Sequence, residues 1–296
     1  MSLGVGKDIL FENANNEELV LSYTDEVGKT EVHIDYEADQ DILNCQVNDD
    51  TIISSFSAGF EYINAGRLSP KTVYEKSSFY VNDKSQLGIF GQYTAHYLSQ
   101  HEDDIVELGD NTGKKYTLKE IIQIWLNEIS PNVKLNIKVI ENTDLAQLNY
   151  YYTDSQVRSN EYRPTNVGFG ISYVLPILTA LAKARPNSIL IIENPEAHLH
   201  PHGQRKLGEL IASCAATGVQ IFLETHSDHI LNGIRISVKN SNIKAEDIRL
   251  FFFQKTVCEE KVVHFVSTPQ IFPNGRLDFW PDGFFDEWEK ALDEIV

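Results

Sequence analysis

The sequence of 296 residues is poor in basic residues and has no long apolar segment. Its 25 Lys and Arg residues are outnumbered by 43 Asp and Glu residues, which gives a net charge of −18. Phosphate affinity comes mainly from Lys and Arg, so broad binding of nucleic acid or of anionic lipid is not expected. No apolar run approaches the ~20 residues that span a bilayer, and the N-terminus lacks the apolar stretch of a secretory signal.

Cysteine is also scarce. Cys45, Cys214 and Cys258 are widely separated and have no metal-ligand spacing. One of the three stays unpaired in any disulfide scheme, so we expect reduced thiols in a cytoplasmic protein.

A complete phosphate-binding loop, GxxxxGK[ST] between a strand and a helix, is absent from the sequence. Gly28-Lys29-Thr30 matches only the end of this motif, because Tyr23 occupies the position of its first glycine. Segments 19–23 and 31–36 alternate apolar and polar residues, which predicts a β-hairpin around the triplet. We therefore interpret the triplet as part of a turn.

Three regions are predicted along the chain. A strand-rich lobe with a helical insertion covers residues 1–160, an α/β core covers 161–268, and an aromatic tail covers 269–296. In the first region, a Thr117–Glu120 capping box is predicted to begin an amphipathic helix. Strands are predicted at 60–63, 135–140 and 148–152, and a helix at 92–100.

Strands and helices alternate with short loops in the second region, which predicts a mainly parallel sheet. The first element is an apolar helix over 171–184, in which Pro176 is tolerable if it lies in the first turn. The following elements are a strand over 189–192, helix 203–216, strand 219–223, helix 227–238, and strands over 248–254 and 261–266.

Two of these strands end in polar residues. Glu193, Asn194 and Glu196 follow the first, and His226 closely follows the second. Ligands of open parallel sheets bind outside the carboxyl ends of the strands, so these residues are predicted to share one edge. A carboxylate there can hold Mg²⁺, which makes Glu193 a candidate metal ligand. The alternative is an acidic junction between strand and loop, with a structural histidine.

Asn194 and Glu196 differ in their ability to accept a proton from water. An amide orients a water molecule but does not accept its proton at neutral pH, whereas Glu196 could accept it.

A glycine-containing segment precedes the apolar helix. Gly168, Gly170 and Ser172 would let backbone N–H groups and a hydroxyl approach an anion at the helix N-terminus. Alternatively, the glycines only allow close packing of the helix.

Histidines are concentrated in two places. His198, His200 and His202 alternate, and His226 and His229 flank Ser227-Asp228. Alternating histidines on an extended loop could bind zinc, which leaves a zinc-dependent hydrolase as one alternative. A polar loop that packs against a partner subunit is the other.

Three segments together resemble the ATP-binding heads of the ABC-type group that includes RecF, SMC and OLD-like proteins. They are NVGFGISYVLPIL at 166–178, IIENPEAHLHPHGQ at 191–204 and ETHSDHILNGIR at 224–235. The tail DFWPDGFFDEW, residues 278–288, is similar to the C-terminus of bacterial ATPases that end in a short domain of unknown function. Residues 62–70 are weakly similar to the loop that follows the first core lobe.

This resemblance implies a P-loop NTPase fold of the ABC type and roles for matching residues. Glu193 would bind Mg²⁺, and His226 would contact the terminal phosphate. Asn194 occupies the position at which the family usually has a catalytic glutamate. Glu196 could take over the role of that glutamate. The signature loop, which in the family contacts ATP on the opposite subunit, corresponds to Asn166, Gly168, Phe169, Gly170 and Ser172.

The function implied is that of a cytoplasmic bacterial Mg-ATPase head, AAA-type in the broad sense, that forms a homodimer around ATP. The phosphate loop is expected to precede residue 1, so truncation is expected and the chain alone is not expected to turn over ATP. One alternative is a nucleotide-gated scaffold with little hydrolysis that recruits an effector, such as a nuclease, or DNA.

Overall fold

The computed structural model describes residues 10, 14, 18–24, 28–35, 37, 39, 44–47, 59–106, 115–154, 157–258 and 261–295. They belong to two compact units, Met1–Ala58 and Gly59–Val296. The domain boundaries after residues 160 and 268 remain predictions.

The first unit contains an antiparallel sheet with strand order β1-β2-β3. Its strands are β1 (Glu18–Thr24), β2 (Lys29–Asp35) and β3 (Cys45–Val47). Pairing of β1 with β2 confirms the predicted hairpin. Lys29 and Thr30 belong to β2, and Lys29 Nζ lies 2.7 Å from Glu31 Oε1. The triplet thus does not connect a strand to a helix, as a phosphate loop does.

In the second unit, a parallel sheet carries the predicted strand ends. It has the order β12-β11-β4. These strands are β4 (Phe60–Ile63), β11 (Ile189–Glu193) and β12 (Gln220–Glu224).

The other strands of this unit pair antiparallel. A four-stranded sheet joins β5 (Tyr74–Glu75), β8 (Val133–Val139), β9 (Leu145–Asp154) and β10 (Val157–Arg158). Two-stranded pairs are formed by β6 (Ile105–Val106) with β7 (Tyr116–Thr117) and by β13 (Phe252–Cys258) with β14 (Lys261–Ser267). A parallel sheet together with antiparallel strands confirms the predicted mixed α/β architecture.

The α-helices are α1 (Thr94–His101), α2 (Leu118–Ile129), α3 (Phe169–Lys183), α4 (Pro201–Ala215), α5 (Asp228–Lys239) and α6 (Glu287–Ile295). Short helical turns lie at Phe79–Asp83, Pro164–Asn166 and Ala245–Asp247. The capping box of α2 is confirmed, because Thr117 and Glu120 each accept a bond from the other's backbone N–H. In the described part of the chain, no helix combines the length and apolarity needed to cross a bilayer.

Pro176 does not lie in the first turn of its helix. Helix α3 begins at Phe169, which places Pro176 in the helix interior. Since proline has no N–H, the Ser172 carbonyl lacks its i+4 donor there. Most of α3 is buried, as predicted, and this packing stabilises the helix despite the lost bond.

The strand predicted at 248–254 begins later than expected. Strand β13 starts at Phe252 and pairs with β14. Ile248 and Leu250 instead pack on a small buried cluster that includes Val238, Ile243 and Ile271. Their side chains satisfy a local core, which overrides the strand propensity of the sequence.

A buried ion pair links β4 to α3. Glu61 Oε2 lies 2.8 Å from Lys183 Nζ, and the Glu61 side chain is 3% exposed. Leu87 N donates to both carboxylate oxygens, and Lys183 Nζ also donates to Ser85 O. Burial raises the pKa of Glu61, and the positive charge of Lys183 opposes this shift.

Candidate functional site

The carboxyl ends of β11 and β12 bring two glutamates side by side. In the parallel register Glu193 is the partner of Glu224, and the loops that contain Asn194, Glu196 and His226 follow immediately. The structure therefore places Glu193, Asn194, Glu196 and His226 at one edge of the sheet, as the sequence predicted.

Glu193 is held by three donors from the end of β4. Its Oε1 accepts from the Tyr62 hydroxyl at 2.7 Å. Its Oε2 accepts from Asn64 Nδ2 at 3.1 Å and from Ala65 N at 3.0 Å. These contacts fix the carboxylate before any ligand arrives. Residues 62–70 show only a weak family similarity in sequence, which does not predict their contact with Glu193.

Arg67 fixes the backbone on both sides of the strand end. Its guanidinium donates to Glu193 O at 2.7 Å, to Asn194 O at 2.6 Å and to Asn64 O at 3.2 Å. Arg67 is 2% exposed, and burial lowers the pKa of its guanidinium. Asn194 has a φ of +41°, so this arginine holds a left-handed residue in place.

Glu196 ties the first loop to the second. Its Oε2 accepts from the Thr225 hydroxyl at 2.7 Å, and its Oε1 accepts from His226 N at 2.8 Å. The Thr225 hydroxyl oxygen in turn accepts from Ser227 N. Ser227 is the N-cap of α5 and accepts from Ile230 N. Both Glu196 oxygens are thus engaged by the loop.

Glu224 contacts both Asn194 and His226. Its Oε1 lies 2.8 Å from His226 Nε2, and its Oε2 accepts from Asn194 N at 3.2 Å. The Glu224 and His226 side chains are 48% and 81% exposed. Glu224 begins the segment 224–235, but the sequence pattern predicted no role for it. Its position at the last residue of an apolar strand was the available signal.

The five residues of the predicted signature loop divide into two groups. Asn166, Gly168 and Phe169 are exposed, and a Cβ on Gly168 would meet no atom within 4 Å. Ser172 is buried, with its Oγ 3.5 Å from the Tyr150 hydroxyl. A Cβ on Gly170 would lie 2.5 Å from His198 O, so this glycine is required for packing.

The histidine-rich loop packs against the start of α3. The His198 ring centroid lies 4.6 Å from Tyr173 and 5.6 Å from Phe169. His200 is the N-cap of α4 and accepts from His202 N. Among the described residues there is no group of three His, Cys, Asp or Glu side chains that could hold a metal. A zinc site of the predicted kind does not fit this arrangement.

Magnesium bound with a nucleotide fits the strand edge better. Mg²⁺ is usually held by one or two carboxylates together with substrate phosphates and water, so a full protein cage is not needed. Glu193 provides such a carboxylate, with the Tyr62 hydroxyl oxygen 2.7 Å from its Oε1.

Two protein-family models match the chain. The first, described as "AAA domain, putative AbiEii toxin, Type IV TA system", matches residues 61–232. The second, described as "Protein of unknown function", matches residues 243–295, in agreement with the predicted resemblance of the tail. No curated protein matches the chain.

Several solved structures are similar to the chain. The SMC head bound to the C-winged helix domain of ScpA has a TM-score of 0.51 and 12% identity, over 90% of this chain and 79% of that one. The SMC head domain from Thermotoga maritima has a TM-score of 0.40 and 8% identity, over 88% and 79%. At 12% identity, the first structure shows a shared fold.

Proposed function

The chain belongs to the family of AAA domains whose model matches residues 61–232, and from this membership we propose that its strand edge binds Mg-ATP. At the coarser level it is an ATP-binding ATPase of the ABC type, with the P-loop NTPase fold of SMC heads. The finer proposal concerns which residues act at that edge and what the nucleotide does.

One observation carries this proposal. Glu193 stands at the carboxyl end of the parallel sheet with its carboxylate oriented by Tyr62, Asn64 and Ala65. A rigidly held carboxylate at this edge suits a metal ion that is shared with phosphates.

Each predicted residue receives a role in phosphoryl transfer to water. Glu193 binds Mg²⁺, and the exposed imidazole of His226 contacts the attacking water beside the terminal phosphate. Asn194 orients water, and Glu196 fixes the loop that contains His226. Positioning and electrostatic stabilisation supply most of the catalysis in such reactions.

The signature segment is proposed to act between two copies of the chain. Asn166, Gly168 and Phe169 are exposed and would contact ATP held by the second copy of a homodimer. Gly170 and Ser172 would support this segment from inside, since one packs against His198 and the other faces Tyr150.

A phosphate loop is proposed to lie beside the free edge of β12. Within the described residues, β12 pairs only with β11, and Phe222 on β12 is 53% exposed. A further strand that carries the phosphate loop would pair with this edge.

Titration of the full natural chain with ATP, with and without Mg²⁺, tests the proposal. We expect Glu193→Gln to weaken Mg²⁺-dependent ATP binding by roughly tenfold or more, because even indirect partners of a metal change its affinity by that much. The matched control is Glu246→Gln, an exposed glutamate beside Lys244. Equal Mg²⁺ dependence in Glu193→Gln and wild type would contradict the assignment.

A nucleotide-gated scaffold is the second candidate function. Asn194 at the usual position of the water-activating glutamate favours it, because an amide does not accept the proton. Such a protein would dimerise on ATP without appreciable turnover and then recruit an effector protein, such as a nuclease, or DNA. Light scattering with ATP, together with phosphate release, distinguishes the two candidates.

A further inference from the structure

We propose that Glu224 is the carboxylate that accepts the proton of the attacking water, with His226 held beside it. The inference rests on the proposed function, since it concerns the same ATP site. It assigns proton transfer to a residue of β12, away from the Glu193-Asn194 pair where the sequence pattern would place it.

Glu196 is less open to water than Glu224, because its side chain is only partly exposed. Its two carboxylate oxygens accept bonds from the Thr225 hydroxyl and from His226 N, at 2.7 and 2.8 Å. Protonation of Glu196 would weaken both bonds, and these bonds connect the loop after β11 to the loop after β12. We therefore assign Glu196 a positioning role and look for the proton acceptor at the more exposed Glu224.

Glu224 has the position that the reaction requires. It is the register partner of Glu193 on the adjacent parallel strand, and adjacent strands lie about 4.8 Å apart. Partners in register point to the same face of a sheet, so Glu224 and the proposed Mg²⁺ ligand are neighbours. Half of the Glu224 side chain is open to solvent, and water can reach it.

Contacts with Asn194 and His226 orient the Glu224 carboxylate. Asn194 N donates to Oε2, and His226 Nε2 lies 2.8 Å from Oε1. A bond to a carboxylate places the imidazole proton on Nε2, which leaves Nδ1 as an acceptor in neutral histidine. The pair thereby presents two acceptors for water at the strand edge.

The chemical step is a simple in-line hydrolysis. An O–H bond of water breaks, and its proton passes to a Glu224 oxygen. The water oxygen bonds to the terminal phosphorus of ATP while the bond from that phosphorus to the bridging oxygen breaks. The electron pair leaves with ADP, and the exposed carboxyl group then releases its proton to solvent.

Glu224→Gln in the full natural chain tests this assignment, with Glu246→Gln as the matched control. General-base assistance is typically worth ~10²–10⁴-fold, so we expect turnover to fall by that factor while Mg-ATP binding stays at the wild-type level. Turnover equal to wild type with binding retained would overturn the inference alone. A wild-type chain that binds Mg-ATP without hydrolysing it would also overturn the inference. A wild-type chain that does not bind ATP would overturn the proposed function.

A second measurement needs no turnover. In Glu224→Ala, the ¹⁵N shifts of the His226 imidazole should move toward those of a solvated histidine, because the bond to Nε2 is lost. Glu246→Ala should leave them unchanged. Unchanged shifts in Glu224→Ala would show that the two side chains are not paired and would overturn the inference.

Discussion

The guanidinium of Arg67 satisfies three carbonyl oxygens at the point where the chain leaves β4 and β11. It is buried and lies 5.7 Å from the ring centroid of Tyr173. A lysine could not span the same carbonyls, because its single ammonium is not a planar fork. The conformation of Asn194 therefore depends on a residue more than a hundred positions away.

Arg67→Ala should lower the free energy of unfolding by about 3 kcal/mol. The substitution leaves buried carbonyls without their charged donor, and such losses cost more than an average hydrogen bond. Urea denaturation followed by circular dichroism measures the change. Arg276→Ala, at an exposed arginine, is the control, and equal unfolding midpoints for the two variants would contradict the role of Arg67.

The site residues that the sequence could predict are those that belong to short-range sequence patterns. Glu193, Asn194, Glu196 and His226 follow apolar strands, and this short-range pattern placed them at one edge. The partners of Glu193 could not be found in the same way, because Tyr62 and Asn64 are 131 and 129 residues away. Their contact arises from the pairing of β4 with β11, which no local periodicity encodes.

At the scale of elements, the N-terminus of α3 is positioned by the loop after β11. Gly170 comes so close to His198 O that a Cβ would lie 2.5 Å from it. Gly168, two residues earlier, has open space around it and a φ of −57°. Close packing thus requires a glycine at position 170 but not at position 168.

Gly170→Ala should lower the melting temperature, whereas Gly168→Ala should leave it nearly unchanged. Overpacking against backbone typically costs about 1–3 kcal/mol, and Gly168 has neither a clash nor a strained φ. Scanning calorimetry of the two variants provides a matched comparison. Similar melting temperatures would show that α3 moves away from His198 at no cost.

Secondary-structure elements that depend on residues close together in sequence were predicted correctly. The hairpin of β1 and β2 and the capping box of α2 depend on neighbours in sequence, and both are confirmed. The interior position of Pro176 was not predicted, and the start of β13 was predicted wrongly, because tertiary packing decides both. The burial of α3 stabilises a helix with an internal proline. Ile248 and Leu250 pack on the cluster around Ile243 and are therefore not part of the strand.

At the scale of the molecule, the main hydrophobic core belongs to one unit. Its buried residues extend from Ile63 to Ile230, all within Gly59–Val296. The central parallel sheet and the candidate site lie in the same unit. The described residues of the first unit form a sheet of their own.

A chain that comprises Gly59–Val296 should therefore fold independently. We expect one cooperative thermal transition within a few degrees of that of residues 1–296, because the core is retained. Differential scanning calorimetry of the two chains checks this. An aggregated product or a broad, non-cooperative transition would show that residues 1–58 stabilise the second unit.

The buried pair of Glu61 and Lys183 constrains the evolution of this protein. Loss of one partner leaves an uncompensated buried charge, at a cost of about 3–5 kcal/mol, which is a large part of the free energy of unfolding of a typical protein. Replacement of both by apolar residues of similar volume avoids that cost. Lineages can therefore exchange the pair only through a compensatory double change, and the two positions should vary together or not at all.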